Sequence, residues 1–278
     1  MSSEFNQLPH DFPYDLTVYD MARNIPSAKS GNDWTMNELI EFNIQVESVD
    51  AVTFFGHEDL PQPPVSHTIL NNVDMPDGSL SKSDRQFFHY LRDAIRASGE
   101  ESAADDFAAF ILRMFNYDEP DRVIHQQKKI SFIMAGQGID ATTDLCLITF
   151  TDYLLLVQKD KQYVTSDDPE PQLIAEAIAA FYQNNLTRDR TGLPRLPSTV
   201  FPGITMIGTA PIFYRIPVTE ELLTVVATAA YPSDHRTVVQ RFIPPVTHPQ
   251  LYVQQGLVPL DNRYVVMQCF EAFKSLIN

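Results

Sequence analysis

No stretch of this chain approaches the ~18 consecutive apolar residues that a membrane-spanning helix requires, so no membrane partner is expected. The opening residues, MSSEFNQLPHDFPYDL, lack the basic head and apolar core of a secretory signal, which points to an intracellular, cytoplasmic protein. Cysteine is nearly absent. Cys146 and Cys269 each lie inside an apolar run and read as reduced core residues, which excludes a disulfide framework and a zinc ribbon. The Asn185-Leu186-Thr187 glycosylation triplet is then expected to stay unmodified, because that chemistry needs the secretory route. Basic residues are scarce too: 20 Lys and Arg stand against 36 Asp and Glu, for a net charge of −16. This disfavours a nucleic acid held mainly through its phosphates, since such binding draws on Lys and Arg. A nuclease with a local basic groove or a bound metal stays open.

Several chemistries lack their residues. The seven histidines show no HExxH spacing, and no G-x-S-x-G nucleophile elbow occurs. AGQGID at 135–140 has two glycines but neither a third Gly nor a phosphate-loop Lys, and it reads as a hairpin turn.

What remains is an ordinary core-forming composition, 44% hydrophobic over 278 residues. Residues 1–80 read as a partly irregular N-terminal extension. NDWTMNELIEFNIQVESVDAVTFFG suggests a short helix, with Asp33 as a cap, and one or two strands; a Pro/Asn/Gly-rich connector follows. Residues 81–278 read as one α/β domain. SKSDRQFFHYLRDAIRAS carries Phe87, Leu91 and Ile95 at helical spacing with Ser81 or Ser83 as cap, and ESAADDFAAFILRMFNY repeats the pattern. KKISFIMAG, TDLCLITF and DYLLLVQ are short apolar runs with Gly and Asp punctuation, as expected of strands in a sheet covered on both sides. DDPEPQLIAEAIAAFYQNN is the strongest helix, with Asp168 as cap and Pro169 at the first helical position. ITMIGTAPIFYRIPV predicts a strand pair, ELLTVVATAAY fits strand or helix, and DNRYVVMQCFEAFKSLI predicts an amphipathic helix.

From about residue 103 the order is helix, strand, strand, strand, helix, strand, with Asp144 on the second strand and Gln158-Lys159-Asp160-Lys161 ending the third. This order resembles the PD-(D/E)XK nuclease superfamily. LLLVQKDK, DPEPQLIAEAIAAF and PGITMIGTAPIFYRIPVT resemble, more narrowly, proteins of that superfamily from mushroom-forming fungi. The resemblance spans roughly residues 103–218 and implies a restriction-endonuclease-like fold: a central mixed sheet flanked by helices, with an α-β-β-β-α-β core and an N-terminal extension.

The resemblance also implies a site. Two carboxylates from adjacent strands would hold Mg²⁺ or Mn²⁺ through oxygen ligands, and a lysine two residues past the second acid would orient the attacking hydroxide. Asp144 matches the first acid, with Asp140 as a weaker stand-in, and Lys161 matches the lysine. The second acid falls at position 159, which is Lys159. Asp160 is one place off, and only a bulge would turn it inward. In a regular strand Lys159 and Lys161 would instead face Asp144. On the next helix Gln172 and Glu176 share a face, matching a Gln-led helix pattern, and Glu176 is the substitute for the missing acid. Glu101, Asp105 and Asp106 are further candidates. The residues that would carry catalysis are therefore Lys161, Asp160 and Gln172, and those that would hold metal are Asp144, Asp160 and Glu176. Each has a plainer reading: a turn residue at 144, a solvated strand exit at 159–161, the wet stripe of a helix at 172 and 176, and helix-dipole acids at 105 and 106.

Two functions follow. One is an active Mg²⁺-dependent phosphodiesterase. The other, favoured by Lys159 and the acidic charge, is a retained fold with a degenerate metal site, serving as a binding module or as a metal-free enzyme on a small molecule. An exposed sheet edge in such a fold invites pairing, so a homodimer is a further expectation.

Overall fold

The computed structural model describes residues 27–96, 102–159, 168–230 and 236–277. The N-terminal part supplies α1 (Met36–Glu41), β1 (Ile44–Ser48), α2 (Ala51–Phe55) and α3 (His67–Asn71). There follow α4 (Lys82–Arg96), α5 (Ser102–Met114), β2 (Val123–Met134), β3 (Gln137–Ile148), β4 (Tyr153–Lys159) and α6 (Pro169–Thr191). The chain continues through β5 (Ser198–Ile207), β6 (Ala210–Thr219), α7 (Glu220–Thr228), β7 (Thr237–Phe242), α8 (Tyr252–Gln255) and α9 (Leu260–Lys274). No helix among the described residues is long and apolar enough to cross a membrane.

Local signals explain most element starts. Asp168 caps α6 by accepting from the Glu170 amide, Pro169 opens the helix, and Gly192 ends it in the left-handed conformation. Ser81 Oγ accepts from the Asp84 amide at 3.0 Å and starts α4. At α1 the cap is Thr35, not Asp33, because Glu38 lies three residues later and reaches back to the Thr35 amide in a capping box. The run AVTFF, compatible with a second strand, is α2, capped by Asp50 and closed by Gly56. The β2–β3 turn is Ala135-Gly136, both at positive φ, as a two-residue hairpin demands.

The seven strands form one sheet in the order β1-β7-β6-β5-β4-β3-β2. β2, β3 and β4 are antiparallel neighbours, β4 and β5 run parallel, β5, β6 and β7 are antiparallel, and β1 closes the far edge parallel to β7. Helices cover both faces, giving a mixed sheet between two helical layers. Leu155 and Val157 of β4 pack with α4, α5 and α9 on one face, while Leu156 packs under α6 on the other, as strand alternation requires. On the first face Phe213 meets Phe270 and Phe273 with ring centroids 5.2 and 4.9 Å apart, contacts each contributing about 1 kcal/mol beyond area burial.

Alternation breaks within the β2–β3 hairpin. In β2, Ile124 packs on the α5 face, whereas Ile130, Phe132 and Met134, of the same parity, pack on the α6 face. In β3, Leu145 and Leu147 sit on the α5 face but Ala141 and Ile139 on the α6 face. The hairpin therefore changes face between these stretches. The ladder skips Gln127 and Asp144, between the pairs Gln126↔Leu145 and Lys128↔Thr143, and Gln127 has φ +52°, a left-handed value that reverses side-chain alternation.

Candidate functional site

Asp144 lies at this crossover, next to the point where β3 and β4 part. Their ladder ends at Leu145↔Val157. Beyond it the Asp144 carboxylate takes over from the backbone, Oδ2 accepting the Lys159 amide at 2.9 Å. Thr143 is fully buried beside it, its hydroxyl donating to the Leu145 carbonyl at 2.7 Å.

The alternation that puts Leu155 and Val157 on the α5 face carries Lys159 there too. Its ammonium donates to Asp105 Oδ2 at 2.8 Å, and both side chains are almost wholly enclosed. The ammonium thus turns to Asp105 on α5, and the contact of Lys159 with Asp144 runs through its amide. Asp105 serves this pair rather than only the helix dipole; Asp106 is exposed.

On the opposite face a row of polar side chains crosses the sheet beneath the first turns of α6. Gln158 is fully buried and stands in register with Thr205 of β5. Its Nε2 donates to Gln172 Oε1 at 3.0 Å, and its own Oε1 is buried with no protein donor. Thr205 Oγ1 donates to the Tyr214 hydroxyl at 3.4 Å. Tyr214 pairs with Arg241 of β7, which pairs with Ser48 of β1. Arg241 Nη1 donates to Glu170 Oε2 at 3.1 Å and Nη2 to Ser48 Oγ at 2.9 Å, and the Tyr214 hydroxyl also bonds Glu170. Asn184, later on α6, brackets Tyr153 at the start of β4, so α6 runs antiparallel to β4. Its first turns therefore overlie the carboxyl ends of the parallel strands β4 and β5, where open α/β sheets bind ligands.

The electrostatics follow from enclosure. Burial raises the Glu170 carboxyl above its ordinary range against the pull of Arg241. Burial, with the Glu170 charge behind it, lifts the Tyr214 phenol well above its usual value. Glu176 is fully buried close to Cys146, whose thiol is pushed up to about 12 by burial first and by Glu176 second. Glu170 gives a measurable consequence. A carboxyl whose folded pKa is raised contributes stability that is complete below its unfolded value of 4.5 and is lost as pH rises through the folded value. Glu170→Gln removes that loss, so the stability of the variant relative to wild type should climb as pH rises above 4.5 and level off once the folded carboxyl has ionised. Urea midpoints across that range check it; a flat or falling difference refutes the assignment.

The residues singled out in the sequence thus separate. Asp144 and Lys159 meet through carboxylate and amide. Gln172 joins Gln158, and Glu176 lies further along the same buried helix beside Cys146. Asp140 stands apart on the hairpin, bonded to Lys129 and Ser131, which hold its carboxyl below the usual range. Asp160, Lys161 and Glu101 lie outside the described residues. Among the described residues, no three of His, Cys, Asp and Glu gather closely enough to hold a metal ion. Mg²⁺ and Mn²⁺ need several oxygens around one point, and Asp160, one of the expected ligands, is not among the described residues. Sequence reasoning noticed Gln158 at the strand end without giving it a role, and missed Thr205, Tyr214, Arg241 and Glu170. The one available signal was a polar residue inside an apolar run, as at Gln158 after LLLV and Thr205 within GITMIG.

No protein-family model matches this sequence, and a search of curated proteins finds no match either.

Proposed function

We propose that this chain is a PD-(D/E)XK-type protein in which the fold has outlasted the metal site, and that it works as a binding module through the sheet end under α6. The order α5-β2-β3-β4-α6-β5, with three antiparallel strands followed by a parallel one, supports the fold half of this reading. The observation that carries the functional half is the Lys159–Asp105 ion pair. The position where a second metal acid belongs holds a cation, and that cation is tied to a carboxylate on the α5 face. Asp144, the retained acid, spends one oxygen on the Lys159 amide. The adjoining polar row offers a buried acceptor at Gln158 Oε1 together with Tyr214 and Arg241, groups suited to recognising a small polar ligand by hydrogen bonds.

Calorimetric titration of Mg²⁺ and Mn²⁺ into wild type and Asp144→Ala should give no heat that depends on Asp144. Neither protein should cleave single- or double-stranded DNA or RNA. Asp144-dependent metal binding, accompanied by cleavage that the substitution abolishes, would reverse the reading in favour of an active phosphodiesterase.

A further inference from the structure

The chain is strongly acidic, yet four of its 20 Lys and Arg fall within the 15 residues of α4: Lys82, Arg85, Arg92 and Arg96. His89 lies between them. The spacing of three, four, three and four residues keeps all five within ~80° of the helix circumference, at ~100° per residue, over about 20 Å of its length. All five are exposed. The buried side of α4, carrying Phe87, Phe88 and Leu91, faces the core, so the stripe runs along one flank of an anchored helix. Arg92 Nη2 donates to His89 Nδ1 at 2.9 Å. Among the described residues, the one carboxylate paired with the stripe is Asp93, 3.4 Å from Arg92 between two exposed groups, a contact worth little in water.

The stripe borders a groove of about 480 Å³ between α4 and the segment after α3. Val73, Met75 and Ile95 expose 48, 43 and 52% of their surface there, an apolar lining beside the His89, Arg92 and Arg96 rim. Asp74 is the acid in this lining, and its field acts on the buried Arg263 behind it.

We propose that this groove docks an acidic amphipathic helix of a partner protein, its apolar side chains on Val73, Met75 and Ile95 and its carboxylates on Arg92 and Arg96. Charge complementarity selects the sign of the partner, and the apolar lining selects its kind. A phosphate backbone would use the cations and leave the three apolar side chains in water, whereas a helix in a groove uses both. The net charge of −16 also repels an extended polyanion beyond the stripe while tolerating a short peptide. The surface is separate from the sheet end and does not depend on how that site is read.

The test is fluorescence anisotropy on the full chain with four probes. These are a labelled helical peptide of about 15 residues alternating Leu and Glu at helical spacing, its Leu→Ser counterpart, polyglutamate of equal charge and a short DNA duplex. The Leu/Glu peptide should bind at least about tenfold tighter than the other three, and added salt should weaken it. Arg92→Glu with Arg96→Glu, and separately Met75→Ser with Ile95→Ser, should each weaken it about tenfold or more. Melting temperatures should stay near wild type, since these side chains are largely exposed. Equal binding of polyglutamate or of the duplex, indifference to the charge reversal, or occlusion of the stripe by a second copy of the chain in sedimentation would each overturn the proposal.

Discussion

Lys159→Met should lower the stability of the folded chain by about 3–5 kcal/mol, and Lys159→Met with Asp105→Leu should recover most of that loss. Lys159 and Asp105 keep only 9 and 12% of their side-chain surface and sit 2.8 Å apart across the α5–β4 interface. Removing the ammonium leaves a largely enclosed carboxylate that has lost this cation. Removing both charges leaves two apolar groups on the face that carries the core of Phe107 and Val157. A double-mutant cycle by urea denaturation should therefore show a coupling of at least ~2 kcal/mol. A single-variant cost below ~1 kcal/mol would mean the pair behaves like a surface contact. It would also remove the main argument that position 159 is committed to structure, and so weaken the reading of the site as degenerate.

That pair shows where sequence reading stops. Alternation from Leu155 and Val157 does place Lys159 on their face, and the structure follows it. The sequence alone could not say which helix covers that face, because the partner carboxylate is 54 residues away on α5. Nor could it show that Asp144 sits where the β2–β3 hairpin changes face. The crossover coincides with a left-handed backbone at Gln127, a residue type that gives no warning of positive φ. With alternation reversed near Asp144, no counting of odd and even positions could decide what it would face.

The helices were more legible, because their ends are written locally. Asp168-Pro169 marked the start of α6, and its apolar spacing marked a core helix. The unexpected feature is that α6 is buried all round from Pro169 to Phe181, so Gln172 and Glu176 are not a wet stripe. The cause lies far off in sequence. Residues 29–34 and α1 lie over the outer side of α6, where Gly31 packs so closely that a Cβ there would come within 3.3 Å of Ala175 and 2.6 Å of Ala141. The N-terminal part, read as an extension, supplies that cover and also β1 at the sheet edge. Burial of the polar row thus depends on an N-terminal segment more than 100 residues away from α6 in sequence, and no local pattern encodes it.

Arg263 extends the same lesson and carries the second large expectation. The amphipathic pattern of α9 gives no hint that its arginine is fully buried. Its guanidinium donates to the carbonyls of Leu257 and Ile69 at 3.0 and 2.8 Å and of Asn72 at 2.5 Å, with longer bonds to Val73 and Val258. It also lies over the Phe87 ring, 5.3 Å from its centroid. Burial lowers its pKa to about 10, with Asp74 opposing, so it stays a cation through neutral pH and keeps every donor. One side chain thereby joins the end of α3, the segment after it and the α8–α9 turn. Arg263→Leu should cost about 3–5 kcal/mol, since it strands several buried carbonyls at once. Arg263→Lys should restore less than half, because three donors on one nitrogen cannot span the reach of the planar five-donor fork. Hydrogen exchange should speed up first at residues 69–73 and 257–258, before the sheet. Because the Val73 carbonyl is among those held, Arg263→Lys should also weaken peptide docking in the α4 groove, although Arg263 itself is wholly enclosed. A loss of stability without that local pattern, or a lysine variant as stable as wild type, would show that Arg263 fills space rather than fastening these segments together.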